Sequence, residues 1–422
     1  MLDAPNTPKC SSCKGKALAR PATLATLATL ATLATLTLLA SLVASCRKDE
    51  APSDAGLAVT SSTPVTTVES AGGVLVATPR LELARFRPRS EAQAGQLIEI
   101  PAGVLLSGSL PSDEGRDPSG PAGLAAIPMG AFSIDALPYP NNPAGPVRTN
   151  VPRDEAVRLC GERGARLCTD AEWERACKGP DADSYSTGPG WDPGCDAEPT
   201  TCASGFGVRA MGAYREWVEG PRGEGRGSSV RGGGSREPGP GIRRCARRSS
   251  GTGAADDLGF RCCKGSGGAQ PVTLEAYRKT KLEAKDLADI VAQSPELSRF
   301  GPELRFFDPA DASAVVGRTQ IPHDGFVFTT QPLLWSPDPS VEVLVLTGRS
   351  KTSSFVLALY PLQSGKYKVA SYFLMLGDVA PVALAYNPNR RRELQWTTCW
   401  GCSGEQGGVS FRDDRRVVIV QF

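Results

Sequence analysis

The fold is decided by one stretch of the sequence, Gly164–Cys177, which reads GARLCTDAEWERAC. Thr169 and Glu172 have the spacing of a capping box, in which each side chain bonds to the backbone amide of the other residue. This spacing predicts a helix over Asp170–Cys177. A second helix is expected just before the stretch, over Pro152–Arg163. The surrounding sequence is dominated by glycine, proline and polar residues, and a disulfide framework can hold such a loop-rich domain without a large core.

Cysteines are frequent in this chain, with 13 among 422 residues, whereas the formal net charge is only +2. Such a small charge predicts no basic surface for nucleic acid. Cys10, Cys13 and Cys46 lie near the N-terminus and leave ten others, an even number that is typical of a disulfide-bonded exported protein. Eight of these ten lie in the loop-rich region: Cys160, Cys168, Cys177, Cys195, Cys202, Cys245, Cys262 and Cys263.

The N-terminus has the parts of a secretory signal. A basic head containing Lys9 and Arg20 precedes an apolar run of Ala-Thr-Leu triplets, which ends in Val-Ala-Ser before Cys46. This ending resembles a bacterial lipobox, in which the cysteine is lipidated. We therefore expect export and a lipid anchor at Cys46 in the cell envelope, and Arg47 in place of aspartate favours the outer membrane or its periplasmic face. The alternative is an uncleaved helix, since about 20 apolar residues span a bilayer.

Composition divides the sequence into five parts. Residues after Cys46 are rich in Ala, Ser, Thr, Pro and charge, which is typical of a flexible tether. Residues 272–297 are charged and rich in helix formers, which predicts an amphipathic helix that links two domains. The five parts are a signal peptide (1–45), a lipidated N-terminus and disordered tether (46–96), a loop-rich disulfide-bonded domain (97–266), a helical linker (267–302) and a β-rich domain (303–422).

Short β-prone runs separated by turn residues, such as Gly365 and Gly377, make up the C-terminal region. Their spacing predicts an antiparallel meander, either a sandwich or a small barrel. The runs are Val341–Leu346, Phe355–Tyr360, Tyr367–Leu376, Val382–Tyr386, Leu394–Thr397, Val409–Phe411 and Val417–Val420. Cys399 and Cys402 form a Cys-x-x-Cys motif there. A local structural disulfide is favoured over a thioredoxin-type redox site, because no convincing helix follows the motif.

The stretch Gly164–Cys177 and six shorter segments elsewhere in the chain together resemble the motifs of the formylglycine-generating enzyme (sulfatase-modifying factor) family. The six shorter segments are Ile100–Gly103, Phe132–Asp135, Arg215–Val218, Arg231–Gly234, Arg244–Ser249 and Leu258–Cys262. The resemblance covers about residues 97–264. It implies an α+β fold, a loop-rich variant of the C-type-lectin-like fold. We expect Trp173 and Trp217 to be core residues in it.

The resemblance also implies two disulfide bonds. In the family, a cysteine before the Gly-x-Arg-Leu motif bonds to the one in Gly-Phe-Arg-Cys, and the cysteine that ends the Glu-Trp-Glu helix bonds to the one in Arg-Cys-Ala-x-Arg. The matching pairs in this sequence are Cys160–Cys262 and Cys177–Cys245. Cys195 and Cys202 flank a short loop and are expected to bond to each other, which leaves Cys168 and Cys263 to pair.

The resemblance fails at the family's catalytic site. In the enzymes, two cysteines between the Arg-Gly-Gly and Arg-Cys-Ala-x-Arg motifs bind copper(I), and oxygen then converts a cysteine in a Cys-x-Pro-x-Arg substrate to formylglycine. Residues 232–244 carry no thiol, imidazole or thioether, and copper(I) requires soft ligands. The single histidine, His323, excludes the three-histidine iron site of related sulfoxide synthases. Ala213 replaces an asparagine that helps to hold calcium in the family. No catalytic residue or cofactor is therefore predicted; copper is not expected, and calcium is a disfavoured alternative.

Two functions remain open. The favoured one is a catalytically silent, membrane-anchored lipoprotein that binds an envelope protein or a glycan, or forms part of an assembly. The Gly/Arg-rich segment 219–248 is its candidate contact surface, with a solvated loop as the alternative. The other function is an oxidoreductase of the same family that acts on protein cysteine with relocated catalytic residues. That function needs a free thiol of low pKa at Cys168 or Cys263.

Overall fold

The computed structural model describes residues 86–111, 113, 116, 123–220, 228–234, 239–265, 284–293, 297, 300, 303–317, 325–377 and 380–422. The predicted signal peptide, Cys46 and His323 lie outside the described residues, as does the first part of the predicted linker helix. Thr67–Phe422 forms one compact unit. Within the described ranges, no helix has both the length and the apolarity that a membrane span requires.

Both helices predicted around the deciding stretch are present. The described helices are α1 (Arg153–Glu162), α2 (Asp170–Lys178), α3 (Gly194–Ala197), α4 (Ala284–Gln293) and α5 (Pro309–Val316). The capping box of α2 is formed, because the Glu172 amide donates to Thr169 Oγ1 at 3.2 Å and the Thr169 amide donates to the Glu172 carboxylate at 2.8 Å. Helix α4 is the described part of the predicted linker helix. These local signals therefore predicted the right elements.

Among the described residues, strands make up a larger share than helices, and the fold is mixed α+β. In the first half they are β1 (Leu97–Ile100), β2 (Gly103–Ser109), β3 (Gly123–Met129), β4 (Phe132–Asp135), β5 (Arg166–Leu167), β6 (Arg215–Trp217), β7 (Ser228–Arg231), β8 (Arg248–Gly251), β9 (Leu258–Phe260) and β10 (Cys262–Lys264). In the second half they are β11 (Arg305–Phe306), β12 (Val327–Thr329), β13 (Leu333–Asp338), β14 (Val341–Arg349), β15 (Ser353–Pro361), β16 (Tyr367–Leu376), β17 (Ala383–Tyr386), β18 (Leu394–Thr397), β19 (Gln406–Phe411) and β20 (Val417–Gln421).

The loop-rich half is built on two small sheets and a hairpin. One sheet has the order β1-β4-β10-β5, the other has the order β8-β7-β6-β9, and β2 pairs with β3. Trp173 of α2 and Trp217 of β6 are almost fully buried, each in a different core cluster. The prediction that both tryptophans are core residues is confirmed. The indole of Trp217 also donates to the Val151 carbonyl at 2.8 Å.

The C-terminal half contains two five-stranded antiparallel sheets that face each other. The first sheet has the order β11-β14-β15-β16, and β13 also pairs with β14, on the same side as β11. The second sheet has the order β12-β17-β18-β19-β20. Alternate residues of β14 such as Val343 and Val345 belong to the same core cluster as Trp396 of the second sheet. Their neighbours Leu344 and Leu346 pack in a separate cluster with residues from α4 and the segment after it. Both faces of β14 are thus covered, which explains the continuous apolar run at 343–346.

The hairpin β2–β3 joins the two halves. Leu105 belongs to a core cluster of the loop-rich half, whereas Leu106 belongs to the core of the facing sheets. Successive side chains of a strand point to opposite faces, so one hairpin serves both cores. Polar contacts add to this, since Tyr360 donates to the Leu124 carbonyl at 3.4 Å and Arg415 donates to the Ala126 carbonyl at 2.6 Å. The parts predicted as separate domains therefore share a core.

The last residues of the predicted tether also lie against the loop-rich half. Arg87 forms an ion pair with Asp183. The Ser90 amide donates to the Thr201 carbonyl at 3.2 Å, and Arg209 donates to the Ser90 side chain at 2.7 Å. Ordered contacts therefore begin before residue 97, where the sequence places the start of the domain.

Candidate functional site

Glu174 of α2 lies at the centre of a buried ionic cluster. Its carboxylate is 2.8 Å from Arg231 Nη2 and 3.1 Å from Lys178 Nζ. It also accepts from the Gly108 amide at 2.7 Å and from the Ser107 hydroxyl at 2.9 Å. Glu174 and Arg231 are fully buried. The cluster therefore ties α2 to strand β7 and to the hairpin β2–β3 at once.

The charge state of this carboxyl follows from its surroundings. Burial raises the pKa of Glu174, but Lys178, Arg231 and Arg248, together with the Gly108 amide, outweigh that effect and lower the pKa to about 2. A general acid or base works best when its pKa is near the operating pH. A carboxylate with a pKa of about 2 stays ionised at neutral pH. Glu174 is therefore suited to holding the fold together and poorly suited to proton transfer.

Asp170, one turn before Glu174, completes the cluster. Both Arg231 Nε and Nη2 lie 2.6 Å from its carboxylate oxygens, which is the paired geometry that guanidinium groups favour. Arg248 of β8 lies 2.9 Å from the same carboxylate. Arg231 Nη1 donates to the Cys245 carbonyl at 3.1 Å. The Arg-Gly-Gly and Arg-Cys-Ala-x-Arg motifs thus meet at the acidic face of α2.

A second buried cluster joins the Glu-Trp and Gly-Phe-Arg motifs. Arg261 donates to Glu216 from Nε at 2.6 Å and from Nη2 at 2.7 Å, and the Trp173 indole donates to the same carboxylate at 3.0 Å. Arg261 also donates to the carbonyls of Asp135 and Arg209, both at 3.2 Å. Every polar group in this contact set has a partner within the fold. The motif residues act here as structural connections between strands and α2.

Asp135 forms a third cluster beside a tight turn. Arg163 donates to its two oxygens from two nitrogens, both at 2.8 Å. Asn141, which adopts the left-handed backbone region with φ 60°, donates to Asp135 at 3.0 Å. The Cys262 amide donates to the other oxygen at 3.0 Å. The carboxylate therefore fixes the end of α1, the turn after β4 and the start of β10 relative to one another.

The disulfide-bonded character of the loop-rich half is confirmed. The bonded pairs, with Cα–Cα distances in parentheses, are Cys160–Cys262 (5.5 Å), Cys168–Cys263 (4.9 Å), Cys177–Cys245 (5.4 Å) and Cys195–Cys202 (5.9 Å). Each is a pair expected above, and Cys399 bonds to Cys402 in the other half (5.6 Å). Cys168 and Cys263 are both in a disulfide. The free thiol that the oxidoreductase alternative needs is therefore not found at either position.

In the interval 232–244, the described glycines are tightly packed against other backbone segments. A side chain at Gly232 would place its Cβ 2.3 Å from the Tyr214 carbonyl oxygen, and one at Gly233 would lie 2.4 Å from the Ile242 carbonyl oxygen. Only glycine fits such a close approach of two backbone segments. Residues 235–238 of this segment lie outside the described ranges. At both described glycines, any larger side chain would therefore collide with a neighbouring backbone segment.

Arg243 fills the space beside this segment. Its Nη1 donates to the carbonyls of Gly212, Ala213 and Gly233 at 3.1, 3.2 and 3.1 Å. Backbone carbonyl oxygens are also the ligands that calcium takes, and here a guanidinium group holds three of them. Arg244 is likewise buried and pairs with Asp113 at 2.6 Å. These arginines are internal, so the contact-surface interpretation of segment 219–248 does not hold for them.

Two further places look like sites but have the wrong dimensions or chemistry. The cleft between α2 and strand β15, lined by Arg175, Tyr360 and Gln363 among others, has a cavity volume of about 30 Å³. That volume holds about two water molecules, whereas small-molecule sites are about ten times larger or more.

Asp192, Cys195 and Cys202 have ligand atoms within 4.8 Å of one another. Their sulfur atoms are joined in a disulfide and are not thiolate ligands.

The ionic clusters were not predicted from the sequence, although one signal for them exists. Asp170, Glu174 and Lys178 are spaced four residues apart and therefore share one face of α2. A charged face on a helix that also carries Trp173 usually faces solvent, but in this fold it meets the buried Arg231 and the more exposed Arg248. The arginines lie 57 or more residues further along the chain. Their pairing becomes visible only in the folded structure.

Comparison with known proteins does not assign the chain to a family. No family model matches the sequence, and no curated protein matches it.

Proposed function

We propose that this chain is an exported, lipid-anchored envelope protein whose residues 97–266 form a catalytically silent domain like that of the formylglycine-generating enzymes. In this proposal the domain is a scaffold for binding an envelope protein or a glycan, or for an assembly. One observation carries the proposal: all ten cysteines within the described residues are bonded to one another. A sulfur atom in a disulfide cannot act as the thiolate that binds copper(I).

The ionic clusters support a scaffold. Four charged residues of the family-like motifs, Glu174, Glu216, Arg231 and Arg261, are buried and have their partners inside the fold. Catalytic groups, in contrast, face a cavity in which a substrate can reach them. The packing at Gly232 and the position of Arg243 also argue against copper and calcium at the family's sites. The domain is thus well suited to presenting a rigid outer surface.

The disulfides support export. Disulfides form and persist in oxidising compartments such as the bacterial periplasm and the cell surface. Eight of the bonded cysteines lie in the domain where loops are longest. Together with the lipobox-like ending at Cys46, this favours a mature protein that is held at a membrane by an N-terminal lipid.

The anchor is tested by substitution of Cys46. The full-length gene and a Cys46→Ser variant are expressed in a Gram-negative host that is fed a radiolabelled fatty acid. The parent protein is expected to incorporate the label and to enter the detergent phase, and the variant is expected to do neither. Equal labelling of both proteins would contradict the lipid anchor. A parent protein that stays unlabelled but sediments with membranes would support the uncleaved helix instead.

The catalytic silence is tested by counting thiols. The purified protein is unfolded without reductant, alkylated, and weighed as an intact mass. We expect no alkylation of the ten cysteines between Cys160 and Cys402. Alkylation of Cys168 or Cys263 would contradict the proposal, because it would restore the thiol that a relocated active site needs.

A further inference from the structure

One disulfide differs from the others in its exposure. The cysteines of the four disulfides in the loop-rich half are at most 5% exposed. Cys399 is half-buried and Cys402 is exposed. Reduction begins when a thiolate attacks one sulfur atom of the disulfide, so access to that atom limits the rate. Cys399–Cys402 is therefore more accessible to an attacking thiolate than the four disulfides of the loop-rich half.

The turn that carries this disulfide is already closed without it. Thr397 and Gln406 are paired at the ends of β18 and β19. Beyond them, the Thr398 amide and the Thr398 hydroxyl donate to the Glu405 carbonyl at 2.8 and 3.2 Å. The bonded cysteines are only three positions apart, so this bond closes the shortest loop of the five disulfides and constrains the unfolded chain least. The closure of the hairpin therefore does not depend on this disulfide.

The neighbours of the motif hold one side of the turn in place. The Trp400 ring lies 5.3 Å from the Phe326 ring and 5.0 Å from the Phe328 ring, measured between centroids. The Trp400 amide donates to the Val315 carbonyl at the end of α5 at 3.2 Å. The Cys399 amide donates to Thr397 Oγ1 at 3.0 Å. Cys399 and Trp400 are thus anchored, whereas Cys402 lies on the exposed side.

We propose that Cys399–Cys402 is a thiol–disulfide exchange site, which a partner dithiol opens through Cys402 while the other disulfides stay closed. In the first step a partner thiolate attacks Cys402 Sγ. The Cys399–Cys402 bond breaks, a mixed disulfide forms, and Cys399 leaves as a thiolate that takes up a proton. The partner's second thiol then attacks the mixed disulfide. The partner becomes a disulfide, Cys399 and Cys402 become thiols, and two electrons have moved to this chain.

The partner is identified by its chemistry as an oxidoreductase with an accessible pair of thiols, one of which is a thiolate at neutral pH. The hydrogen bonds at Thr398 and the β18–β19 pairing do not involve sulfur. Reduction therefore leaves the hairpin formed, and the exchange is reversible. This site does not depend on the role of residues 97–266.

The test compares two disulfides within the same molecule. The purified, folded chain is incubated with increasing dithiothreitol, quenched, alkylated and analysed by peptide mass spectrometry. Cys195–Cys202 is the internal control, since it also closes a short loop but is buried. We expect Cys399 and Cys402 to be alkylated at a reductant concentration at least ~10-fold lower, with an unchanged circular dichroism spectrum. Opening of both pairs at one concentration, or of Cys195–Cys202 first, would overturn the proposal.

Two single variants test which sulfur is attacked. Cys399→Ser leaves Cys402 as a free thiol, and Cys402→Ser leaves Cys399. After treatment with oxidised glutathione, the Cys402 thiol is expected to form the mixed disulfide ~10-fold faster than the Cys399 thiol, because access controls the rate. Equal rates, or a faster reaction at Cys399, would refute the assignment of Cys402. The intact-mass increase measures both reactions directly.

Discussion

The substitution Glu174→Gln tests the ionic cluster that joins α2 to β7 and to the hairpin β2–β3. The pKa of Glu174 falls from its ordinary value of 4.5 to about 2 in the fold. A shift of this size corresponds to about 3 kcal/mol of unfolding free energy at neutral pH. Glutamine keeps the shape but removes the charge, which leaves Lys178 and Arg231 buried with fewer anionic partners. We therefore expect a loss of about 3 kcal/mol at pH 7, in the range known for broken buried ion pairs.

The dependence on pH makes this prediction specific. A carboxyl whose pKa is lower in the folded state stabilises the fold above its unfolded pKa, and this contribution is lost as the pH falls towards the folded pKa. The difference between the parent protein and the variant should thus be complete above about pH 4.5 and shrink between pH 4.5 and pH 2. Urea unfolding, followed by tryptophan fluorescence at several pH values, measures it. Carboxyl groups common to both proteins cancel in the difference.

Glu162→Gln is the matched control, because Glu162 and its partner Arg158 are both more than half exposed. Such surface pairs contribute little, so its effect should stay below about 0.5 kcal/mol. The reasoning would be refuted if Glu174→Gln cost less than about 1 kcal/mol at pH 7, or if its cost did not change in acid.

Two further predictions concern stability. Replacing Cys177 and Cys245 by alanine opens a loop of 68 residues and should lower the free energy of unfolding by about 4 kcal/mol. Replacing Cys195 and Cys202, which are 7 residues apart, should lower it by about 2 kcal/mol. Equal losses in chemical unfolding would contradict the chain-entropy account. Gly251→Ala would place a Cβ 2.5 Å from the buried Trp217 ring and should cost about 1–3 kcal/mol. Gly253→Ala, which meets no atom within 4 Å, should be nearly neutral, and similar melting temperatures for the two variants would show that the contact is not rigid.

Local signals in the sequence predicted local structure well. The capping box at Thr169 and Glu172 places the start of α2, because both of its hydrogen bonds lie within one turn. Strands β16 and β18 have the bounds predicted from their β-prone runs and flanking turn residues. These predictions succeed because the interactions that decide them span only a few residues.

Local sequence signals do not predict contacts between residues that are far apart in the chain. The pair Glu174–Arg231 joins residues 57 positions apart, and Tyr360 contacts Leu124 across 236 positions. The hairpin β2–β3 was missed for the same reason. Its neighbouring residues Leu105 and Leu106 pack into two different cores, so strand β2 lacks the apolar–polar alternation that indicates a half-buried strand. The pairs Cys160–Cys262 and Cys177–Cys245 became predictable only through the family resemblance, since spacing alone leaves many connectivities open.

The central claim is that residues 97–266 form a scaffold and have no formylglycine-generating activity. The most direct measurement is a conversion assay on a Cys-x-Pro-x-Arg peptide with the purified protein, copper(I) and oxygen, read by mass spectrometry beside an active enzyme of that family. The account predicts that the peptide mass does not change with this protein, while the active enzyme converts the peptide in the same buffer. A loss of mass at the peptide cysteine with this protein would contradict the account.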